Sequence, residues 1–426
     1  MSSLRLVCRA ITSKIHELFA KTFHRITVKM SRNGLCRLKG IAEHPLFGAK
    51  VEHLTFFNFD DICPSIHQWV KALNTAKSDD ISAEERMYNE SYLVEAGAEQ
   101  EDKTFIERTA SDGILLTFAF LYLPNLRKVD IPTMDNAYFG RMSVRRYLTN
   151  NGESVTRLFS TVVASMAYTQ RKPKELLTSF YGCPTREEGV AVQALYLTPE
   201  IRTCISGLQR LELHLEATDE HFKNRTNWHS YLANFLNATP QLRDLRLGFC
   251  QDWEDIANVF APVADTVHLP SLLKLDLQHI RCSGFLLANF LHRHDTIERL
   301  ELGRLQITGE TSYAQVLKVL EETHKHLTFF QCRQIAQDDV RLEFGTEGVV
   351  TWNERWAPRD GSSADEEFLN SFVSITRPDK YCGMAEQWEG VRKRIGELRE
   401  DIVVTKTPWM SDTTVGSPYG EYYWLQ

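Results

Sequence analysis

Four stretches of the chain share one pattern: LQRLELHLE at 208–216, LRDLRLGFC at 242–250, LLKLDLQHI at 272–280 and IERLELGRL at 297–305. Each opens with L-x-x-L-x-L, with Ile in the first place of the last copy, and successive copies begin 34, 30 and 25 residues apart. Leucines at alternate positions are typical of a strand with one buried face. Recurrence at a period of about 20–50 residues predicts stacked structural repeats.

Weaker copies flank these four, and helical patterns lie between them. The weaker copies are Val51/Leu54/Phe56, Leu126/Val129/Ile131 and Leu327/Phe330/Cys332. Between the strong copies, apolar residues recur at helical spacing, which predicts four helices with the stripes Trp228/Tyr231/Leu232/Phe235/Leu236, Trp253/Ile256/Ala257/Phe260/Ala261, Leu286/Leu287/Phe290/Leu291 and Tyr313/Val316/Leu317/Leu320. A strand and helix pair cannot bury both apolar faces alone, so neighbouring pairs must share a core.

The predicted fold is therefore α/β, an irregular leucine-rich-repeat solenoid with parallel strands on the concave side and helices on the convex side. Irregularity is expected because an Asn or Cys usually stands eight residues after the first Leu of such a repeat. Cys250 supplies it in one copy, whereas Ile280, Leu305 and Ile335 occupy the place elsewhere.

The pattern divides the chain into three regions. Residues 1–48 form an entry element, with a helical stripe at Leu4/Val7/Ile11/Ile15/Leu18, a strand at 26–30 and a helix from Asn33. Residues 49–335 form the solenoid, with an acidic helical insertion at about 64–122. Residues 336–426 form a C-terminal cap that covers the open end of the array, with a helical stripe at Met384/Trp388/Val391/Ile395/Leu398 and an aromatic tail.

Several short blocks, taken in order, resemble fungal F-box proteins. Residues 4–10 (LRLVCRA), 23–28 (FHRITV) and 43–45 (EHP) resemble the part of those proteins that follows the opening helices of the F-box. Tyr88, Tyr92 and Glu99-Gln100, followed by LPNLR at 123–127, resemble the helical insertion and first repeat of the same group. The block SGLQRL at 206–211 also fits.

The resemblance implies a non-catalytic protein-interaction protein. F-box proteins of this type bind the Skp-type adaptor of an SCF ubiquitin ligase and use their leucine-rich repeats to recognise the substrate. It implies adaptor binding through the remaining F-box helix, at Leu4, Val7, Cys8 and Ile11. We expect the two opening F-box helices, which grip the adaptor, to be absent. A stand-alone leucine-rich-repeat scaffold with no ubiquitin-ligase role therefore remains the alternative.

Composition limits the partners. The net charge of −7 provides no global basic field, so we expect no nucleic-acid partner. The longest apolar run, Gly113 to Leu123, is far shorter than the ~20 residues of a membrane-spanning helix, so we expect no membrane partner. The nine cysteines are scattered, form no C-x-x-C pair and accompany no secretory signal, which predicts reduced thiols in the cytoplasm or nucleus.

Common catalytic motifs do not occur in the sequence. We find no G-x-G-x-x-G, G-x-x-x-x-G-K-[ST], H-E-x-x-H or G-x-S-x-G. The pairs His292/His294 and His324/His326 have i, i+2 spacing, which does not place two side chains on one helix face. We therefore predict no enzyme activity, no metal and no cofactor, and we expect these histidines near helix ends, where their side chains can interact with terminal carbonyl groups.

The residues that face away from the leucines are charged. They are Lys128, Asp130, Arg210, Glu212, Asp244, Arg246, Lys274, Asp276, Arg299 and Glu301, with His214 next along its strand. Neighbouring parallel strands lie ~4.8 Å apart, so these side chains should form lateral ion pairs. The sign alternation fails at Lys274 with Arg299 and at Asp276 with Glu301. Two hypotheses remain open: a self-paired stabilising ladder, or a surface that binds a protein partner at this break.

Overall fold

A computed structural model describes residues 20–57, 101–131 except 103 and 107, 152–178, 189–216, 228–250, 253–338, 340–344, 372–375, 395, 399 and 402–408. The chain divides into two compact units: unit 1 contains residues 1–182, 187–190 and 198–205, and unit 2 contains residues 183–186, 191–197 and 206–426. Each unit contains parallel strands accompanied by helices. The predicted α/β class is confirmed.

Unit 1 contains four parallel strands that are neighbours in chain order: β1 (Arg25–Lys29), β2 (His53–Phe57), β3 (Lys128–Asp130) and β4 (Glu175–Leu177). Its helices are α1 (Arg32–Glu43), α2 (Ser111–Leu121), α3 (Gly152–Tyr168) and α4 (Pro199–Ile205). Short 3-10 turns occupy Thr22–His24 and Gly48–Lys50.

The predicted strand and second helix of the entry element form β1 and α1, whereas its helical stripe at Leu4/Val7/Ile11/Ile15/Leu18 lies outside the described residues. The Ser31 side chain caps α1 by accepting a hydrogen bond from the Gly34 N–H. Leu35 and Leu38 are buried, and the backbone of β1 pairs in register with β2. Within unit 1, β1 is thus an additional parallel strand beside the first weak repeat copy.

Unit 2 contains five neighbouring parallel strands: β6 (Arg210–Glu216), β7 (Asp244–Cys250), β8 (Lys274–Ser283), β9 (Arg299–Thr308) and β10 (Phe329–Gln337). The helices that follow β6 to β9 are α5 (Tyr231–Asn237), α6 (Trp253–Thr266), α7 (Gly284–Arg293) and α8 (Tyr313–Thr323). Short 3-10 turns occupy Val192–Leu195 and Trp228–Ser230, and the two-residue strand β5 (Val190–Ala191) precedes them. The four predicted helices are confirmed.

The L-x-x-L-x-L copies occupy equivalent places in unit 2. Their apolar positions are at most 1% exposed, from Leu208 through Cys332. At the start of each strand from β7 to β10, two successive N–H groups donate to the carbonyl of the residue just before the preceding strand, as when Leu273 and Lys274 both donate to Arg243. The repeats are therefore stacked in the same register at each step.

The three long strands β8, β9 and β10 bend at equivalent residues. His279, Arg304 and Gln334 have φ values of 55°, 51° and 52°, in the left-handed region that non-glycine residues seldom adopt. The next residues, Ile280, Leu305 and Ile335, are fully buried, and their backbones continue the ladder. This explains the missing Asn: the backbone groups that its side chain would satisfy are paired with the neighbouring strand.

Beyond β10 the strands are antiparallel. β11 (Val340–Phe344) and β12 (Phe372–Ile375) both pair with β10, and β13 (Ile402–Pro408) pairs with β11. These strands were not predicted from the sequence. These strands lie in the region predicted as the C-terminal cap. Near the helical stripe predicted there, Ile395 is fully buried, and Arg399 forms a 2.7 Å ion pair with Glu321 of α8.

The predicted acidic insertion at 64–122 is described only from residue 101 onward, where α2 is an apolar helix rather than an acidic one. The run Gly113 to Leu123, an apolar segment too short for a membrane span, supplies most of this helix. Within the described residues, no helix is both long enough and apolar enough to cross a membrane.

Candidate functional site

The candidate site is the outward surface of β6 to β9 in unit 2, called here the charged face. It is formed by the predicted residues Arg210, Glu212, His214, Asp244, Arg246, Lys274, Asp276, Arg299 and Glu301. The strands pair in parallel register, so these residues line up in rows across the strands. Lys128 and Asp130 of the same prediction lie on β3 in unit 1, where Asp130 is buried rather than exposed.

The first row runs through Arg210, Asp244 and Lys274. Arg210 Nε lies 3.7 Å from Asp244 Oδ2, and Lys274 Nζ lies 4.0 Å from the same oxygen. One carboxylate oxygen of Asp244 therefore forms ion pairs with two cations. The predicted lateral pairing of these three residues is confirmed.

The second row has the opposite order of signs, Glu212, Arg246 and Asp276. Arg246 NH1 lies 3.4 Å from Glu212 Oε1, and Arg246 Nε lies 2.9 Å from Asp276 Oδ2. Arg210 also approaches Glu212, at 3.6 Å, which joins the two rows. The second predicted set of pairs is confirmed, and Glu212 is more deeply buried than an outward strand position implies.

The alternation fails between β8 and β9, as predicted. Lys274 stands beside Arg299, and Asp276 stands beside Glu301. Arg299 forms a 2.7 Å ion pair with Glu301 on its own strand, and its guanidinium lies 4.1 Å from the ring centroid of Phe329. These contacts place the Arg299 guanidinium against residues of β9 and β10, and the step between β8 and β9 keeps its like charges side by side.

A third row alternates large residues with glycines: His214, Gly248, Gln278 and Gly303. A Cβ on Gly303 would lie 2.0 Å from Gln278 Oε1, and a Cβ on Gly248 would lie 3.1 Å from His214 Nδ1. The glycines thus make room for their neighbours' side chains. Gln278, placed in this way, donates a 2.5 Å hydrogen bond to Asp276.

His214 is buried beneath this surface, although the sequence predicted it on the outward face. Burial, together with the nearby charge of Arg246, lowers the pKa of His214 from 6.5 to about 4. The imidazole is therefore neutral at neutral pH. It contributes a packed polar group rather than a surface cation.

The bend adds a polar ladder that sequence reasoning missed. Arg304 Nε donates to Gln334 Oε1 at 2.7 Å, and Arg304 NH1 lies 2.8 Å from His279 Nε2. A signal for the bend was present: the apolar positions step by three from Leu277 to Ile280, where they otherwise step by two. The same step of three occurs at the equivalent places in β9 and β10, and it marks an extra residue in each strand.

The charged face offers fixed charges and hydrogen-bond groups rather than a reactive centre. Its four cations and four carboxylates are Arg210, Arg246, Lys274, Arg299, Glu212, Asp244, Asp276 and Glu301. In the described ranges, no group of three or more His, Cys, Asp or Glu side chains could hold a metal ion. The predicted adaptor-binding residues Leu4, Val7, Cys8 and Ile11 lie outside the described residues.

The histidines of the two i, i+2 pairs have different environments. His294 and His324 are buried at the ends of α7 and α8, where the sequence predicted helix ends. His294 Nδ1 lies 2.7 Å from the Phe290 carbonyl, and its Nε2 accepts from the Leu269 N–H at 3.0 Å. Both ring nitrogens of His294 are occupied, so this residue joins consecutive repeats.

Comparison of the sequence with protein-family models and with curated proteins returns no match.

Proposed function

We propose that this chain is a non-catalytic protein-interaction protein, an irregular leucine-rich-repeat solenoid whose charged face binds a protein substrate for an SCF-type ubiquitin ligase in the cytoplasm or nucleus. The observation that carries the proposal is the charged face itself. Ten-residue strands with buried leucines support a rigid surface, and rigid elements position binding groups well.

The arrangement of charges supports a selective protein partner. In β6 to β8 each charge is matched by an opposite charge in its row, so a polyanion would meet as many carboxylates as cations there. The step between β8 and β9 places like charges side by side. A partner gains most at this step if it brings a carboxylate to Lys274 and Arg299 and a cation to Asp276 and Glu301.

The ubiquitin-ligase part of the proposal is tested by binding of the purified 426-residue chain to a fungal Skp-type adaptor. We expect the adaptor to be retained, and we expect retention to be lost when Leu4, Val7 and Ile11 are changed to Asp. A chain extended by a complete F-box is the positive control. Retention by the extended chain alone would overturn the ligase role for this chain and favour the stand-alone scaffold.

The partner-binding part is tested separately by photo-crosslinking on the folded chain. A photoreactive amino acid replaces Lys274, and the matched control replaces Lys318 on α8, whose side chain has the same exposure of 57%. We expect a discrete crosslinked protein from position 274 and none from position 318. Equal crosslinking at the two positions would contradict a binding role for the charged face, whatever the adaptor experiment shows.

A further inference from the structure

A second surface, in unit 1, exposes an apolar stripe on α2. Ile114, Phe118 and Leu121 are 57%, 44% and 47% exposed, and their spacing of four and three residues places them on one side of the helix. Tyr122 extends the stripe beyond the end of α2 and is also exposed. We call these four residues the α2 stripe. Contiguous exposed apolar side chains of this kind mark interaction sites.

The remaining sides of α2 are already packed. Leu116, Ala119 and Phe120 are fully buried, and the Phe120 ring meets the Phe56 ring of β2 edge to face at 6.5 Å. The helix also packs against α1 and α3. A helix that is apolar on all sides is normally buried on all sides, so the α2 stripe is the part that lacks its covering in the described chain.

Two cations of α1 lie against exposed aromatic rings on this side of the chain. Lys39 Nζ lies 5.9 Å from the centroid of the Phe118 ring, and the Arg32 guanidinium lies 5.2 Å from the centroid of Phe105, another exposed ring next to α2. Arg37 is a third cation on α1 and is exposed, whereas Lys39 is half-buried. The only acidic residue of α1 is Glu43, which Lys39 contacts at 2.6 Å, and the Arg32 N–H donates to the neighbouring Asp102 carboxylate at 2.7 Å. The balance on α1 is therefore basic.

We infer that the α2 stripe docks an amphipathic helix of a partner protein that has an apolar stripe and an acidic edge. α2 has eleven residues and is about 16 Å long, which is three turns of contact for a second helix. The apolar stripe of the partner covers Ile114, Phe118 and Leu121, and its acidic edge lies against α1. This inference does not depend on the function proposed for the charged face, because the residues lie in unit 1.

The test measures binding of two synthetic helical peptides of about 15 residues, roughly four turns, to the full chain by fluorescence anisotropy. Both peptides carry Leu at i, i+4, i+7 and i+11, and their flanking residues are Glu in one and Lys in the other. We expect the Glu peptide to bind about tenfold more tightly than the Lys peptide. We also expect Lys39→Glu to reduce or reverse that preference.

Two variants with exposed Phe side chains locate the site. Phe118→Glu should weaken binding of the Glu peptide about tenfold or more, whereas Phe285→Glu, at a residue 60% exposed on α7, should leave it unchanged. Far-ultraviolet circular dichroism and thermal melting establish that both variants are folded. If Phe118→Glu does not fold, Ile114→Gln replaces it in the binding measurement, because it removes apolar surface from the same stripe without adding charge.

Four outcomes would overturn the inference. Equal affinity for the two peptides would exclude a partner helix with an acidic edge. No binding of either peptide would mean that the α2 stripe is covered or does not bind a helix. Binding to phosphatidylserine vesicles that is lost in Phe118→Glu, without peptide binding, would assign the stripe to a membrane surface. Self-association of the full chain that is lost in the same variant, measured by sedimentation velocity, would assign it to a second copy of the chain.

Discussion

Arg246 holds the charged face together, and its removal should destabilise unit 2. Its guanidinium contacts Asp276 at 2.9 Å and Glu212 at 3.4 Å, so Arg246→Ala removes both ion pairs at once. Glu212 is buried, and it also contacts Arg210 at the longer distance of 3.6 Å. The cost thus includes the loss of one compensating cation from a buried carboxylate as well as two lost attractions.

The expected magnitude follows from these contacts. Exposed ion pairs contribute about 0.2–1 kcal/mol each, and Arg246 is partly exposed, so the two pairs together contribute roughly 1 kcal/mol. Removing one of the cations that compensate the buried carboxylate of Glu212 adds roughly another 1 kcal/mol. We therefore expect Arg246→Ala to lower the free energy of opening of unit 2 by about 2 kcal/mol.

Native-state hydrogen exchange followed by mass spectrometry measures the free energy of opening for β6 to β8 alone, without assuming that the whole chain unfolds in one step. A loss of about 2 kcal/mol corresponds to exchange about 30-fold faster. Arg243→Ala is the matched control, because Arg243 is exposed on the same segment and forms no ion pair with the described residues. Equal exchange in the two variants would refute the reasoning.

A second readout of the same variant separates electrostatics from general loosening. The positive charge of Arg246 helps to lower the pKa of His214 to about 4, although burial is the larger cause. In Arg246→Ala the pKa of His214 should rise, and nuclear magnetic resonance of labelled histidine should detect the change. An unchanged pKa would show that the two side chains are not coupled.

Three further predictions concern stability. Gly284→Ala should lower the free energy of unfolding by several kcal/mol, because its Cβ would lie 2.2 Å from a backbone carbonyl oxygen. Gly40→Ala in α1, where a Cβ would have nothing within 4 Å, should instead stabilise the chain by about 0.5–1 kcal/mol, and thermal melting compares the two variants. Burial lowers the pKa of His294 to about 4, so below pH 6.5 the unfolded chain takes up a proton that the folded chain does not, and the free energy of unfolding decreases from pH 6.5 toward pH 4. Urea unfolding should show a smaller decrease with pH in His294→Gln, and an equal decrease in the two proteins would contradict this. Arg157→Ala should destabilise unit 1 by about 3 kcal/mol, because Arg157 contacts the buried carboxylate of Asp112 at 2.8 Å. Asp112→Asn in the Arg157→Ala background removes the unpaired charge and should recover part of the lost stability in the same unfolding assay.

Local patterns predicted much of the candidate site. The ion pairs of Arg246 with Glu212 and Asp276 followed from alternation within strands and from equal offsets between neighbouring copies. Both properties are visible in the sequence once the copies are aligned. The like-charge step at Lys274 and Arg299 was predicted on the same basis.

Other parts of the site depend on neighbours in space. Gly303 is outward-facing by its position, but only the structure shows that its missing side chain accommodates Gln278 from the preceding strand. Burial of His214 likewise results from the residues that surround it, because an outward strand position alone predicts exposure. The contacts of Arg304 with His279 and with Gln334 require three strands that bend at equivalent residues.

The sequence by itself determined the α/β class, the repeated strands and helices of unit 2 and the rows of charge, because these arise from periods of two and 3.6 residues and from repetition. Tertiary structure alone decided which apolar residues of α2 are covered. The run Gly113 to Leu123 indicates only a short apolar segment, and its helix buries Leu116 and Phe120 yet exposes Ile114 and Phe118. In a segment where nearly every residue is apolar, no local period separates the buried positions from the exposed ones, because burial there depends on packing between distant segments.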